Sequence, residues 1–347
     1  MSKSAALRRF RARQNGATML SQVRRLAAIG FILSAGIAAP PAFADTLPSG
    51  ASIAAGSARV DASANSVTVD QSSARAVINW SGFSVGAGNS VVFNQPDAQS
   101  ATLNRVTGSA SSSIAGQIRS NGAVYLVNPN GIAITASGAV DTRGGFVAST
   151  LDIADGDFMG GNLAFAGNGA SAAVTNAGAI RAGENAFIAL LGGAVSNSGT
   201  IIVPLGKIGI GSGERIALDL NGGNFLQVAV PTALITGSGA LIDSSGTITA
   251  SGGSVRLLAA TVKDAVRNVI NMSGMISADS AVADGGSIKL LGGGGGLVTV
   301  NGTLNARGGG AAVRRATAAL SRHRDKRSIS TASASIPPRA TARPGNG

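Results

Sequence analysis

The sequence predicts an all-β chain wound as a right-handed parallel β-helix, a single-stranded solenoid with an N-terminal cap and extra-helical hairpins. Three observations carry this reading. A short phrase recurs along the chain, glycine supplies 50 of its 347 residues, and aromatic residues are only 3% of a sequence that is 44% hydrophobic. Short strands separated by Gly, Asn and Ser at such a period are the pattern of stacked coils. A propeller would need a four-strand blade period and a sandwich would need regular Asn-Gly hairpins, and the phrases provide neither.

The phrase is Asn-x-Gly-x-Ile. It occurs as Asn176-Ala-Gly178-Ala-Ile180, Asn197-Ser-Gly199-Thr-Ile201, Ser244-Ser-Gly246-Thr-Ile248, Met272-Ser-Gly274-Met-Ile276 and Val300-Asn-Gly302-Thr-Leu304. The glycines step by 21, 47, 28 and 28 residues, which fits one or two coils per step. Gly and Asn are expected at the corners because they accept positive φ. A single coil buries too few aliphatic side chains to offset the ordering of its own backbone. Stacking must supply the rest, through shared ladder hydrogen bonds and Ile/Val/Leu columns.

Along the chain, residues 1–44 read as a signal peptide. Arg8, Arg9, Arg11, Arg13, Arg24 and Arg25 precede an apolar run from Leu26 to Ala39, and Ala42-Phe43-Ala44 supplies the small-x-small cleavage pattern. The run is too short for the roughly 20 residues that span a bilayer, and Met19 is an alternative start. Residues 45–310 form the exported solenoid, with a cap and motif region over 45–160 and regular coils over 161–310. Most of the rings of the body, Trp80, Phe83, Phe93, Tyr125, Phe146 and Phe158, fall in the first part. That is the composition expected of a cap packed over the first coil, whose open strands would otherwise template aggregation. Residues 311–347 depart from the repeat as a basic tail, expected to be disordered or the product of an interrupted reading frame. Its rival reading is a basic arm for an anionic surface.

Charge and composition exclude several function classes. The formal net charge of +12 sits at the two ends, and residues 45–313 hold 13 basic and 15 acidic residues. No footprint for a nucleic-acid backbone remains there. Cysteine is absent and the single histidine, His323, lies in the tail. The body therefore lacks the material for a disulfide, a thiolate nucleophile, a Ser-His-Asp triad or a Cys/His zinc site. No cofactor, no metal and no enzymatic activity are expected. Gly292 to Gly296 lacks the Lys-Ser/Thr of a phosphate loop. Asp152, Asp155 and Asp157 miss calcium-loop spacing at Ala154 and read as a solvated turn. The scattered acids argue against a carbohydrate-cleaving β-helix.

The region from 77 to 151 carries a resemblance. Its motifs are Val77-Ile-Asn-Trp80-Ser-Gly-Phe83, Val91-Val-Phe93-Asn-Gln95-Pro96, Leu103-Asn104-Arg105-Val106-Thr-Gly108, Ser113-Ile-Ala-Gly116-Gln-Ile118, Asn121-Gly122-Ala-Val-Tyr125-Leu-Val-Asn128-Pro129-Asn130-Gly131-Ile132 and Gly144-Gly-Phe146-Val-Ala-Ser-Thr-Leu151. This stretch resembles the secretion domain of two-partner-secretion (TPS) exoproteins, the filamentous haemagglutinin family, and is most similar in pattern to the high-molecular-weight adhesin branch. The resemblance implies a non-enzymatic adhesin or haemagglutinin of a Gram-negative bacterium, exported through the periplasm to the surface or medium. Its implied partner is an outer-membrane β-barrel transporter with periplasmic polypeptide-transport repeats, and its implied target a host-cell or cell-surface receptor. The front end of a contact-dependent growth inhibition toxin carrier is the alternative. By the same analogy Asn128, Pro129, Asn130 and Gly131 form part of the export signal, supported by Trp80, Asn104, Arg105, Asn121 and Gly122. The residues themselves also read as structure, with Pro presetting φ for a type I turn, Asn starting an Asx-type bond and Gly ending the turn. Trp80 reads more simply as core.

Overall fold

The computed structural model describes residues 46–308 apart from 170, 232–239, 261–267, 281–285 and 294–295. The signal segment and the basic tail lie outside the described residues. Within them the chain is a three-faced parallel β-helix. Each turn lays one strand on a first face, one on a second and one on a third, then returns to the first. One turn runs Gln117–Ser120, Ala123–Val127 and Ile132–Ile134, and the next begins at Ala139–Thr142, parallel to Gln117–Ser120 with Val140 beside Ile118. Among the described residues the three faces hold ten, nine and seven strands.

The recurrent phrase is the corner between the third and first faces, and each of its positions has a physical cause. Its Ile positions form a single inward row on the first face, running Ile180, Ile201, Ile248, Ile276 and Leu304 in register. The same row extends back through Val140, Ile118 and Val91 to Val67. Its first positions stack as Asn176, Asn197, Ser244 and Met272, where buried Asn176 donates Nδ2–H to Asn197 Oδ1 at 2.8 Å. The phrase glycines differ from expectation, because none of them has positive φ. What demands glycine is crowding. A Cβ on Gly199, Gly246 or Gly274 would sit 2.1 Å from the carbonyl oxygen of the preceding phrase glycine, and one on Gly302 2.0 Å from that of Gly274.

Every phrase step is one coil, including the step of 47 residues, because the extra length leaves the stack between the second and third faces. One excursion holds helix α1 (Asp155–Gly160) and strand Leu163–Ala166, and the other holds strands Arg215–Leu218 and Leu226–Val230. Leu163–Ala166, Arg215–Leu218 and Leu226–Val230 form an antiparallel three-stranded sheet over the outer side of the second face. The strands beneath are consequently buried on both sides. Ala123–Val127 sends Val124 and Leu126 inward, while Ala123, Tyr125 and Val127 join an outer cluster. In that cluster Tyr125 packs edge-on to Phe158 with ring centres 5.1 Å apart, and burial pushes the Tyr125 hydroxyl pKa up.

The N-terminal end of the described stack is closed by antiparallel strands and does not repeat the parallel pattern. Antiparallel pairing at the N-terminal end joins Ser52–Ala55 to Arg75–Trp80, Ala58–Ala62 to Ser66–Gln71 and, as a single bridge, Ser49 to Gly82, and parallel stacking begins with Ser66–Gln71 on Ser90–Asn94. Nor do the rings form one cap. Trp80, Phe83, Phe93 and Phe146 fill the interior of the first coils, whereas Tyr125 and Phe158 belong to the outer cluster. A strand's alternate side chains face opposite sides, so ring-bearing positions of one sequence region divide between two cores. The hairpin edge itself is blunted by charge, with Arg59 paired to Asp61 at 2.8 Å.

Replacing Gly246 by Ala is expected to destabilise the purified protein by about 1–3 kcal/mol, since the new methyl group overpacks against backbone that cannot yield. Gly223→Ala, where an added Cβ meets nothing within 4 Å, is expected to stay within about 0.5 kcal/mol of the parent. Urea unfolding midpoints of the two variants check the difference.

Candidate functional site

The corner after Ala123–Val127 is built around one buried amide. Asn128 is fully buried, and all of its polar groups are engaged. Its Nδ2 donates to Ala110 O and Ser112 Oγ of the preceding coil, both at 2.9 Å. Its Oδ1 accepts from the Asn130 amide at 2.9 Å and from Asn130 Nδ2 at 3.1 Å. Its main-chain N–H donates to Ser149 O of the following coil at 2.9 Å. Asn128 thus joins three successive coils. Gly131 N–H closes the β-turn on Asn128 O at 3.1 Å, and its φ of 113° is open to glycine alone without strain. Pro129 has no N–H to leave unpaired at this position. Pro129 and Asn130 are exposed, and Asn130 Nδ2 also donates to Gly108 O at 2.8 Å. The Asx bond and the Gly-ended turn read from the residues are both present.

Asn121 and Gly122 form the other end of the same strand, at the corner between first and second faces. Asn121 grips the backbone of Gln95 in the coil below, accepting from its N–H and donating to its carbonyl, each at 2.6 Å. A Cβ on Gly122 would lie 2.5 Å from Gln95 Oε1 and 2.6 Å from Ser100 O. Gln95 is itself buried and donates to Thr102 Oγ1 at 2.9 Å and Ala123 O at 3.0 Å. The Gln71, Gln95 and Thr102 group went unremarked in the sequence, where a polar pair spaced by one coil, Gln71 and Gln95, was the available signal.

Trp80 and Asn104 lie inside the stack. Trp80 Nε1–H donates to Asn104 Oδ1 at 3.0 Å, and Asn104 Nδ2 donates on to Tyr125 O at 3.3 Å. Trp80 also meets Phe83 edge-on at 5.4 Å. Arg105, the next residue, points outward and ties down α1. Its guanidinium pairs with Asp152 at 2.8 Å and Asp155 at 2.6 Å, and it donates to Ile153 O. Burial works against its charge, yet the two carboxylates more than offset that and its pKa is raised. The solvated-turn reading of the three aspartates is thereby corrected, since two are ion-paired and Asp157 accepts from Asn162 at 2.9 Å.

The nine motif residues therefore do not converge on one surface. They occupy both corners of one strand, the interior beneath it and the root of an excursion. Asn104, Asn121, Asn128 and Asn130 connect coil to coil through neutral hydrogen bonds, whereas Arg105 ties down an excursion by charge. Among the described residues no group of three or more His, Cys, Asp or Glu side chains is placed to hold a metal ion, and no helix is long and apolar enough to cross a membrane.

The family model of the TPS secretion domain matches residues 44–333. Among solved structures, the HMW1 secretion domain from Haemophilus influenzae is similar with a TM-score of 0.64 at 30% identity, covering 75% of this chain and 66% of that one. The filamentous hemagglutinin secretion domain shares the fold, with a TM-score of 0.52 at 18% identity over 77% of this chain and 97% of that one. A heme/hemopexin-binding protein of Haemophilus influenzae is 42% identical over 122 residues, which are 35% of this chain and 13% of that protein. A second protein of that description, also from Haemophilus influenzae, is 39% identical over 90 residues and matches over 10% of its length. The chain thus corresponds to a small part of these curated relatives.

Removing the Asn128 side chain leaves the buried Ser112 hydroxyl without its partner, while Ala110 and Asn130 are exposed and can turn to water. An unpaired buried group costs about 1–3 kcal/mol, and Asn128→Ala is expected to lower stability by about that much in urea unfolding. Arg105→Ala is expected instead to release α1 locally. Limited proteolysis should cut faster between Asp152 and Asn162, with the far-ultraviolet β signal unchanged.

Proposed function

The chain belongs to the TPS secretion domain family, and from that premise we propose that it is the export module of a secreted, non-enzymatic exoprotein with an adhesin or haemagglutinin-type role. The observation that carries the reading is the match over residues 44–333, which spans the whole stack of coils. The chain passes the periplasm and is recognised there by the polypeptide-transport repeats of an outer-membrane β-barrel transporter. It crosses unfolded and winds its β-helix outside, where the complete exoprotein reaches a host-cell or cell-surface receptor.

The physical chemistry supports each step. Without cysteines no crosslink forms in the oxidising periplasm to block threading. Each coil needs only the coil before it as a template, so folding can follow the chain as it emerges. Every strand that joins the stack outside makes return less favourable, and folding biases movement outward. Within the motif, Asn128 serves export chiefly by fixing the turn, and exposed Pro129 and Asn130 follow from that geometry.

Co-expression with the cognate transporter, with the protein measured in the medium, tests this. Ile201→Asp combined with Ile248→Asp places carboxylates in the inward row and is expected to cut export severely, whereas equal export of this variant would reject folding as the bias. Asn128→Ala is expected to lose export in step with its stability, while Pro129→Ala keeps most of both. Export lost in Pro129→Ala at unchanged stability would instead make the exposed ring a direct transporter contact.

A further inference from the structure

The antiparallel sheet covers the second face, and the outer side of the first face carries an open groove of about 450 Å³. Arg119, Asp141 and Arg181 line it from three successive strands, each in register with the next. Neighbouring strands lie about 4.8 Å apart, which places the two arginine backbones about 10 Å from each other. Arg143 lines the same groove two residues beyond Asp141, and all four side chains are exposed. Among the described residues none of these three guanidinium groups has a hydrogen-bond or ion-pair partner. The contrast with the preceding arginines is sharp. Arg59 pairs with Asp61, Arg75 donates to Phe158 O at 3.0 Å, and Arg105 holds two aspartates.

We propose that this groove binds an acidic oligosaccharide, a sugar chain bearing carboxylate or sulfate groups. Guanidinium groups pair with such planar or tetrahedral anions through two hydrogen bonds at once, and three of them surround a single carboxylate. Asp141 opposes a purely anionic ligand, but as an acceptor it suits hydroxyl donors. A ligand offering both anions and hydroxyls meets both demands, and a sugar chain does so along its length. Single-stranded nucleic acid fits less well, since base stacking needs exposed rings and the ring in this groove, Phe93, is only 1% exposed. An apolar peptide finds no dry surface among four exposed charges.

The full-length protein, titrated calorimetrically with a heparin-derived hexasaccharide and with hexagalacturonate, tests the proposal, with maltohexaose as the neutral control. At least one acidic hexamer is expected to bind, with affinity falling as salt rises, and maltohexaose is not. The combined variant Arg119→Gln, Arg143→Gln and Arg181→Gln is expected to bind about tenfold or more weakly, with each single change giving a smaller loss. Arg215→Gln, an exposed arginine on the antiparallel sheet, is expected to bind as the parent does. Asp141→Ala separates a sugar site from a generic anion site, because it is expected to weaken hexasaccharide binding while strengthening that of inorganic sulfate. All these positions are exposed, so unchanged thermal midpoints are expected throughout. Binding that survives the triple change, falls equally in Arg215→Gln, or strengthens for the sugar in Asp141→Ala would overturn the proposal, as would equal binding of maltohexaose.

Discussion

The structure rests on the ladder of backbone hydrogen bonds between coils. A strand of three to six residues cannot satisfy its own N–H and C=O groups, so each coil depends on the ones beside it. The strand spacing this imposes governs side chains that take no part in the bonding. On the first face it aligns a row of Val, Ile and Leu from Val67 to Leu304. At the corner that follows the third face it brings backbone so close to backbone that only glycine fits. Burial supplies the driving force, but the ladder decides where each buried group must stand.

The turn at Asn128-Pro129-Asn130-Gly131 is a consequence of the same constraint. Asn128 touches the corner below it and the strand end above it, and Asn121 does comparable work with Gln95 one corner earlier. The residues of this motif therefore hold the early coils together. On the export route proposed above, one set of side chains serves both recognition and folding.

The two excursions give the faces different characters. By leaving between the second and third faces, they bury the outer side of the second under an antiparallel sheet and a ring cluster. Arg105, Lys207 and Arg256 anchor them: Arg105 through aspartates, Lys207 through Leu220 O at 2.6 Å, and Arg256 through Gly223 O and Asn224. The first face keeps its outer side open beside the groove, and there Arg119, Arg143 and Arg181 have no partner among the described residues. The cations that close the excursions, Arg105, Lys207 and Arg256, all stand on strands of the second face.

The sequence by itself determined the fold class, the repeat, the turn at Asn128-Pro129-Asn130-Gly131 and the family, because these follow from local chemistry. An inward Val, Ile or Leu at every coil, a proline before a Gly-ended turn and an asparagine able to bond its own backbone are visible without neighbours. Only the tertiary structure decided the rest. The step from Gly199 to Gly246 is a single coil because two strands leave the stack, and the phrase glycines answer to a carbonyl in the coil beneath rather than to φ. Tyr125 lies in a different core from Trp80, Arg105 is paired with aspartates 47 and 50 residues away, and Arg119, Asp141 and Arg181 form one row. Each of these depends on which coil lies next to which, and that register is settled only when distant segments stack.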